Sequence, residues 1–472
     1  MPPMRLSLIL TLFGCHGAPI SQQDSEREAE IRRYVKRLES KNASVCLDAV
    51  DYLPYFGSAA IPALLDALRG SSGNGRALAA ATLARIPDRR SVRPLMDLLE
   101  DPGTLDLNVL SDDGERLHGA YDNPLPGFVR DQARFALRSI TGRSFAKKEE
   151  ALQWWSQNGI SFEVTPRPAP DSHPIPERAK YLRGWKICLD PGHGGDTHKR
   201  GFKRGPTYAS EAEINLRVAR FLRDYLSAQG ALVTLTRDSD RDVTLEARAK
   251  AAAGHDFFLS IHHNWSPNLE ATAPSAWYHL VPDHQPAAMD LARNVERELV
   301  RALAQPPPRG GGLMSDGLMY ETGFGVLRQL PADVPGCLCE TTYYSNLAME
   351  RKLRDIEFNR QEAYGLFLGI VEYVFLGIPK AELLSSEGGT IRFRVRDGLE
   401  DRAEWAKPFK IFRELVSVRI DGQPVAHEYD AATGTITVKH ALPPGPHEAV
   451  VTLVNLHKNH SLPKRIPFPV TR

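Results

Sequence analysis

The run Lys186-Ile187-Cys188-Leu189-Asp190-Pro191-Gly192-His193-Gly194-Gly195-Asp196 constrains the chain more than any other stretch. Ile187 to Leu189 is a short apolar segment that breaks at once into proline and glycine, the pattern of a buried strand ending in a tight turn. His193 is thereby set at the C-terminal end of a strand. In open α/β sheets the crevice beyond those ends is where ligands bind, and glycines there let a metal or substrate approach the backbone. A phosphate-binding loop would place a lysine and a serine or threonine at the following helix start, and this turn has neither.

The surroundings of that turn repeat one pattern. Strand-like runs at 186–189, 232–236, 257–261, 276–281 and 337–340 alternate with helical stretches. Ile214, Val218, Phe221, Leu222 and Tyr225 form one helical stripe, and 245–253, 287–304 and 359–375 are also helix-like. Strands alternating with helices of that length predict an α/β domain over 184–378, its mostly parallel sheet flanked by helices. At 472 residues the chain exceeds one ordinary domain, and its other parts have different periods.

Ahead of this domain, 24–160 is expected to form helical hairpins. The segment from Ile61 to Leu68 resembles that from Val92 to Leu99, each is preceded by another helix, and 130–140 repeats the pattern of 76–86. Repeated helix pairs that cannot bury an apolar face alone imply a stacked solenoid, here resembling about three HEAT-type units that serve as a protein-binding surface or a packing spacer. A polar stretch at 101–128 interrupts them as an insertion. Prolines crowd 161–183, the composition of a semi-rigid linker. After the α/β domain, 387–472 switches to a period of two, Ile391, Phe393 and Val395 alternating with Arg392, Arg394 and Arg396, with Asp421-Gly422 and Thr433-Gly434 as turns. This predicts a small antiparallel β-sandwich of immunoglobulin-like type, the arginines on a solvated face.

Acidic and basic residues nearly cancel, 58 against 59, without a basic stripe carrying aromatics, which argues against a nucleic-acid partner. Residues 1–18 have the form of an export signal: Arg5 precedes an apolar core at 6–13 too short to span a bilayer. Leu12-Phe13-Gly14-Cys15 resembles a bacterial lipoprotein signal with Cys15 as the lipid-anchored residue, placing the protein in the periplasm or cell envelope. Cys46, Cys188, Cys337 and Cys339 have no metal-type spacing and are expected to be buried free thiols.

Four stretches of the middle domain could supply a metal site: His193; Ser210-Glu211-Ala212-Glu213 at a helix start; Ser260-Ile261-His262-His263-Asn264 closing a strand; and Cys339-Glu340-Thr341 closing another. In a parallel sheet the three strand ends share one edge. Two neutral imidazoles and a carboxylate, with one position open to water, make up many hydrolytic zinc sites; zinc so held lowers the pKa of its water to roughly 7. Amide cleavage then needs a carboxylate outside the metal shell to move protons, and Glu340 is placed for that. Consecutive strand residues point to opposite faces, so His262 and His263 should not both reach one metal, and Cys339 should face away if Glu340 faces it.

These residues also resemble the zinc-dependent N-acetylmuramoyl-L-alanine amidases. The likeness rests on the 190–195 turn, Glu211 with Asn215-Leu216, Thr236-Arg237-Asp238 with Asp240, Leu245 and Arg248, the 260–264 run, and Glu340-Thr341 with Ser345-Asn346 and Glu350. It implies that His193, Glu211 and His262 ligate Zn2+ and that Glu340 is catalytic. Zinc-activated water, assisted by Glu340, would then cleave the amide joining N-acetylmuramic acid to L-alanine in peptidoglycan. Lys199, Arg200, Lys203 and Arg204 make 197–209 more basic than the family's usual connection, and His263 replaces a small residue. His263 stays open as a donor behind the ligands or an alternative ligand, and Glu213 competes with Glu211. The glycine-rich stretch at 308–320 forms either a mobile loop beside the cleft or a surface connection. Two other functions stay open: a zinc peptidase or amidase on another envelope amide, and a non-catalytic envelope scaffold.

Overall fold

The computed structural model describes residues 22–107, 127–164, 173–195, 203–308, 311–402 and 411–470. The export segment with Cys15, most of the insertion, the central prolines of 161–183, Lys199 and Arg200, and residues 309–310 of the glycine-rich stretch lie outside them.

The chain opens with helices α1 (Gln22–Arg37), α2 (Ala43–Tyr52), α3 (Ile61–Ala67), α4 (Gly73–Leu83), α5 (Val92–Asp97), α6 (Val129–Thr141) and α7 (Lys148–Asn158). From α2 onward they fall on the helical stretches that the apolar pattern marks. Their ends are written in the sequence: Pro62 sits in the first turn of α3, the Ser72 side chain caps α4, and Gly142 takes a left-handed φ of 73° to stop α6. Small residues of α4, Ala77, Ala79 and Ala80, are buried against α6 with its Ala133, Ala136 and Leu137. The insertion closes on itself at its neck. Leu105 N donates to Gly127 O at 2.9 Å and Val129 N to Gly103 O at 3.0 Å, so α4 and α6 still pack together.

The middle region holds strands β1 (Lys186–Pro191), β2 (Leu232–Leu235), β3 (Phe257–Asn264), β4 (Ser275–Tyr278), β5 (Leu313–Ser315) and β6 (Gly336–Tyr343), in spatial order β2-β1-β3-β6-β4-β5. The pairs β1–β2, β1–β3 and β3–β6 are parallel, as the alternation of strands and helices anticipates. Beyond β6 the sheet reverses: β4 runs antiparallel to β6, and β5 runs parallel to β4. Helices α8 (Glu211–Ala228), α10 (Pro286–Leu303) and α13 (Ile356–Phe375) cover one face, where Ile187, Leu189, Phe257, Leu259, Cys337 and Cys339 are buried. On the other face α9 (Leu245–Ala252) and α11 (Gly325–Arg328) lie over Cys188, Phe258, Trp277 and Leu338. Helix α12 (Leu347–Leu353) leads into α13. A side chain at Gly369 would put its Cβ 2.4 Å from Val295 Cα, so that glycine lets α13 lie close on α10.

The last region is built from two antiparallel four-stranded sheets. One has the order β11 (Glu428–Asp430), β12 (Thr435–Lys439), β8 (Thr390–Arg396), β7 (Lys380–Glu387); the other β10 (Gln423–Pro424), β9 (Ser417–Ile420), β13 (Gly445–Thr452), β14 (Arg465–Val470). Ile391, Phe393 and Val395 point into the shared core with Val418, Ile420, Val451 and Phe468, and Arg392 and Arg394 are exposed as the alternation requires. Strand β7 begins at Lys380, ahead of the expected start at 387, because its half-buried 2-period pattern follows almost directly on α13. The carbonyls that end α13 have lost their helical partners. They are met from this region: Asn455 Nδ2 donates to Leu376 O and Gly377 O at 3.0 and 2.9 Å, and Asn459 Nδ2 to Tyr373 O at 3.0 Å. Cys46, Cys188, Cys337 and Cys339 are buried free thiols. Among the described residues no helix is long and apolar enough to cross a membrane.

Candidate metal centre

The parallel register carries β1, β3 and β6 to one sheet edge with their functional residues at the ends. His193 follows β1 with a positive φ of 59°, costly for a non-glycine residue and typical of sites where the surroundings over-determine the backbone. Those surroundings are two buried arginines. Arg237 donates to Pro191 O and Gly192 O at 2.9 and 2.8 Å; Arg248 donates to Pro191 O and His193 O at 2.9 and 2.8 Å. Arg248 also pairs with Asp190 at 2.6 Å, and Thr236 and Ser260 hydroxyls donate to the same carboxylate at 2.5 and 2.7 Å. Burial pushes the Asp190 carboxyl up, and these partners outweigh it and hold it below its ordinary value. Gly192 has a steric role: a Cβ there would lie 2.2 Å from His262 Cε1, so only glycine lets the two strand ends bring their histidines together.

Glu211 opens α8 and joins them. His193 Nε2 lies 3.1 Å and His262 Nδ1 3.0 Å from Glu211 Oε1, and the two imidazole rings are 4.8 Å apart, edge to face. One donor atom from each of the three falls within 4.8 Å of the others, and among the described residues this is the one such grouping. Burial pushes the Glu211 carboxyl up, but the two imidazoles outweigh it and hold it well below the usual carboxylate range. Burial also keeps His262 below its ordinary value, which favours the neutral ring a metal ligand requires.

Glu340 sits on β6 in register with His262, on the same face of the sheet. Its carboxyl is pushed well above the ordinary value by burial and then by the negative charge of Glu211, with Lys203 opposing. Glu211 Oε2 and Glu340 Oε2 are both buried without a hydrogen-bond partner, and Lys203 Nζ lies 3.9 Å from the former. Buried carboxylate oxygens are costly to leave unpaired. Two imidazoles and a buried carboxylate with an unsatisfied oxygen form a donor set that fits a divalent zinc.

The open alternatives separate here. His263 turns to the opposite face, as strand alternation demands: its Nδ1 lies 2.7 Å from Asn215 Oδ1 and its Nε2 2.9 Å from Glu362 Oε1, fully buried. It therefore stands outside the cluster, yet behind it, because Asn215 Nδ2 donates to Gly192 O at 3.1 Å. Glu213 also faces away, toward Tyr34 and Arg37 of α1. Glu362 escaped the sequence reading; it lies on a helix 99 residues from His263, and nothing local marks it. Glu350 accepts from Thr207 N and Ala209 N, bracing the segment that leads into Glu211.

A cleft of about 400 Å³ opens from the cluster, lined by His193, His262, Leu245, Arg248, Phe324 and Val326. The 308–320 stretch is tied down beside it where it is described. Leu313–Ser315 is strand β5, and buried Asp316 accepts from Leu280 N and Phe324 N at 2.7 Å each and from His279 Nδ1 at 2.9 Å.

The fold and the cluster define a class: an α/β domain with a histidine–carboxylate grouping that could hold a metal ion at the C-terminal edge of its parallel strands. Residues 187–372 match the family model described as N-acetylmuramoyl-L-alanine amidase. The probable cell wall amidase LytH of Staphylococcus aureus is 33% identical over 183 residues, covering 38% of this chain and 55% of that protein. The chain thus spans about half the length of the curated relatives it matches. Among solved structures, the N-acetylmuramoyl-L-alanine amidase of Clostridium difficile 630 is similar at 26% identity, covering 41% of this chain and 97% of that one, with a TM-score of 0.36. The catalytic domain of CwlV from Bacillus (Paenibacillus) polymyxa var. colistinus is similar at 25% identity, covering 40% and 98%, with a TM-score of 0.35.

Proposed function

We propose that the protein is a zinc-dependent cell-envelope amidase that cleaves the bond between N-acetylmuramic acid and the L-alanine of the peptidoglycan stem. The observation that carries this is the meeting of His193, Glu211 and His262 around Glu211 Oε1, with Glu340 in register beside them. His193, Glu211 and His262 would hold the zinc, which when bound supplies Lewis-acid polarisation of the amide carbonyl and a water acidic enough to react near neutrality.

The chain's own residues supply the rest. Arg237 and Arg248 fix the turn that aims His193, and Asp190 anchors Arg248. Glu340 accepts the proton of the attacking water and delivers it to the departing alanine nitrogen. A carboxyl raised above its ordinary value by burial suits that task, because the higher proton affinity makes its carboxylate a better acceptor for the water's proton. The cleft beside Leu245 and Phe324 receives the substrate on the side away from Glu211.

An envelope location belongs to the same proposal, with 1–18 as export signal and Cys15 as the lipid-anchored residue. Radiolabelled fatty acid should be incorporated by the wild type and not by Cys15→Ala. We further assign 24–160 to HEAT-like packing. The activity is tested by incubating the chain with a purified muramoyl peptide and weighing the products. A free stem peptide and an intact muramoyl sugar are expected; cleavage within the peptide or the glycan would contradict the proposal.

A further inference from the structure

Glu211 is delivered by a helix start that lacks its own cap. Ser210 occupies the N-cap position of α8 and makes no side-chain capping hydrogen bond. Helix starts of this kind depend on tertiary contacts to hold their first turn. Some of those contacts come from the amino-terminal helices. Glu213, in the same first turn, turns away from the metal cluster into the seam between the two regions. Tyr34 OH lies 3.3 and 3.2 Å from its two carboxylate oxygens, and Arg37 Nη1 donates to Oε1 at 3.2 Å.

A second tie runs through the residues just ahead. Glu211 N donates to Lys203 O at 3.0 Å, so the ligand's own backbone is pinned by the 203–210 segment. That segment is gripped in turn by α2: Arg204 forks onto Asp48, Nη1 to Oδ1 at 3.1 Å and Nη2 to Oδ2 at 3.0 Å. Arg37 reaches the same carboxylate at 3.5 Å, joining the two ties into one buried network. Tyr34, Asp48 and Glu213 are essentially inaccessible, and Tyr34 is held by stacking on Tyr52 at 4.4 Å and by the Arg37 guanidinium at 4.9 Å.

We propose that the amino-terminal helical unit is a built-in part of the metal site, with Tyr34, Arg37 and Asp48 as positioning residues that fix the Glu211 carboxylate from behind. The inference rests on the zinc reading given above. Metal ligands tolerate misplacement of only about 0.5 Å, and residues that orient them typically change metal affinity about 10- to 100-fold when removed. The same seam supplies its own control. Arg220, farther along α8, forks onto Glu30 of α1 at 2.8 and 3.1 Å, a comparable buried pair away from the first turn.

The test uses the full chain, stripped of metal and titrated with zinc in competition with a chromophoric chelator, alongside thermal unfolding of the metal-free protein. Tyr34→Phe and Arg37→Met should weaken zinc binding about tenfold and lower kcat while leaving KM for a muramoyl peptide unchanged. Glu30→Gln should lower the unfolding temperature and leave zinc affinity where it was. Should Arg37→Met fail to fold, the double variant Arg37→Met/Glu213→Gln removes the buried charges together, and it too should bind zinc about tenfold more weakly. Zinc affinity in the seam variants no weaker than in Glu30→Gln would overturn the positioning role and leave the metal site standing. A wild-type chain that takes up no zinc would overturn the zinc reading itself, and this inference with it.

Discussion

At the scale of single residues, Glu211 and Glu340 are two buried carboxyls whose proton affinities are pushed in opposite directions. The imidazoles of His193 and His262 hold the Glu211 carboxyl well below the usual carboxylate range, and burial and then the Glu211 charge push the Glu340 carboxyl well above it. Replacing Glu340 by Gln should lower amide hydrolysis by about a hundred- to ten-thousand-fold while zinc uptake stays at one ion per chain, because the substitution removes proton transfer and no ligand. Asp190 carries a separate prediction. Its partners Arg248, Thr236 and Ser260 hold the folded carboxyl below its unfolded value near 3.9, so its contribution is present above about pH 4 and is lost as pH falls through the folded value. Asp190→Asn leaves Arg248 buried without its carboxylate and should cost about 3 kcal/mol at neutral pH. Urea unfolding of both proteins across pH should show that gap narrowing below about pH 4. His193, His262 and Glu340 were legible in the sequence because they stand at strand ends, and Glu211 because it stands at a helix start. Glu362 was not, since a glutamate within a helix carries no local sign that it will meet His263 from the other side of the sheet.

Elements explain why those residues meet. The turn after β1 works only with a small residue at 192, since any side chain there runs into the His262 ring. Gly192→Ala should therefore bind zinc at least about tenfold more weakly, by the same chelator competition, with the far-ultraviolet dichroism of the sheet and helices unchanged. Parallel pairing of β1, β3 and β6 was readable from continuous apolar runs separated by helices. The reversal at β4 was not: a four-residue strand with buried Ala276 and Trp277 has the same composition whichever way it runs. The 308–320 stretch likewise gave no hint that Asp316 would gather two backbone amides and an imidazole, a fixing that depends on His279 and Phe324 from elsewhere in the chain.

Across the whole molecule, the helical unit and the β-sandwich both grip the α/β domain through buried polar contacts. Asp51 of α2 receives Arg354 at 2.8 Å and Arg85 at 2.6 Å, and although burial pushes its carboxyl up, these arginines hold it below the ordinary value. Removing that charge strands two guanidinium groups. Asp51→Asn should destabilise the chain by about 3 kcal/mol in chemical unfolding. Such docking was invisible in the sequence, where the proline-rich stretch reads only as a separator and interface arginines look like any surface charge. The central claim is that His193, Glu211 and His262 hold a zinc that makes this chain an amidase. The most direct measurement is the count of new L-alanine amino termini released from purified peptidoglycan by the full chain, first stripped with chelator and then given one equivalent of zinc. The account predicts no release when stripped, full release on zinc addition, and none from Glu211→Ala in either state. Release that continues without metal, or that survives loss of Glu211, would contradict it.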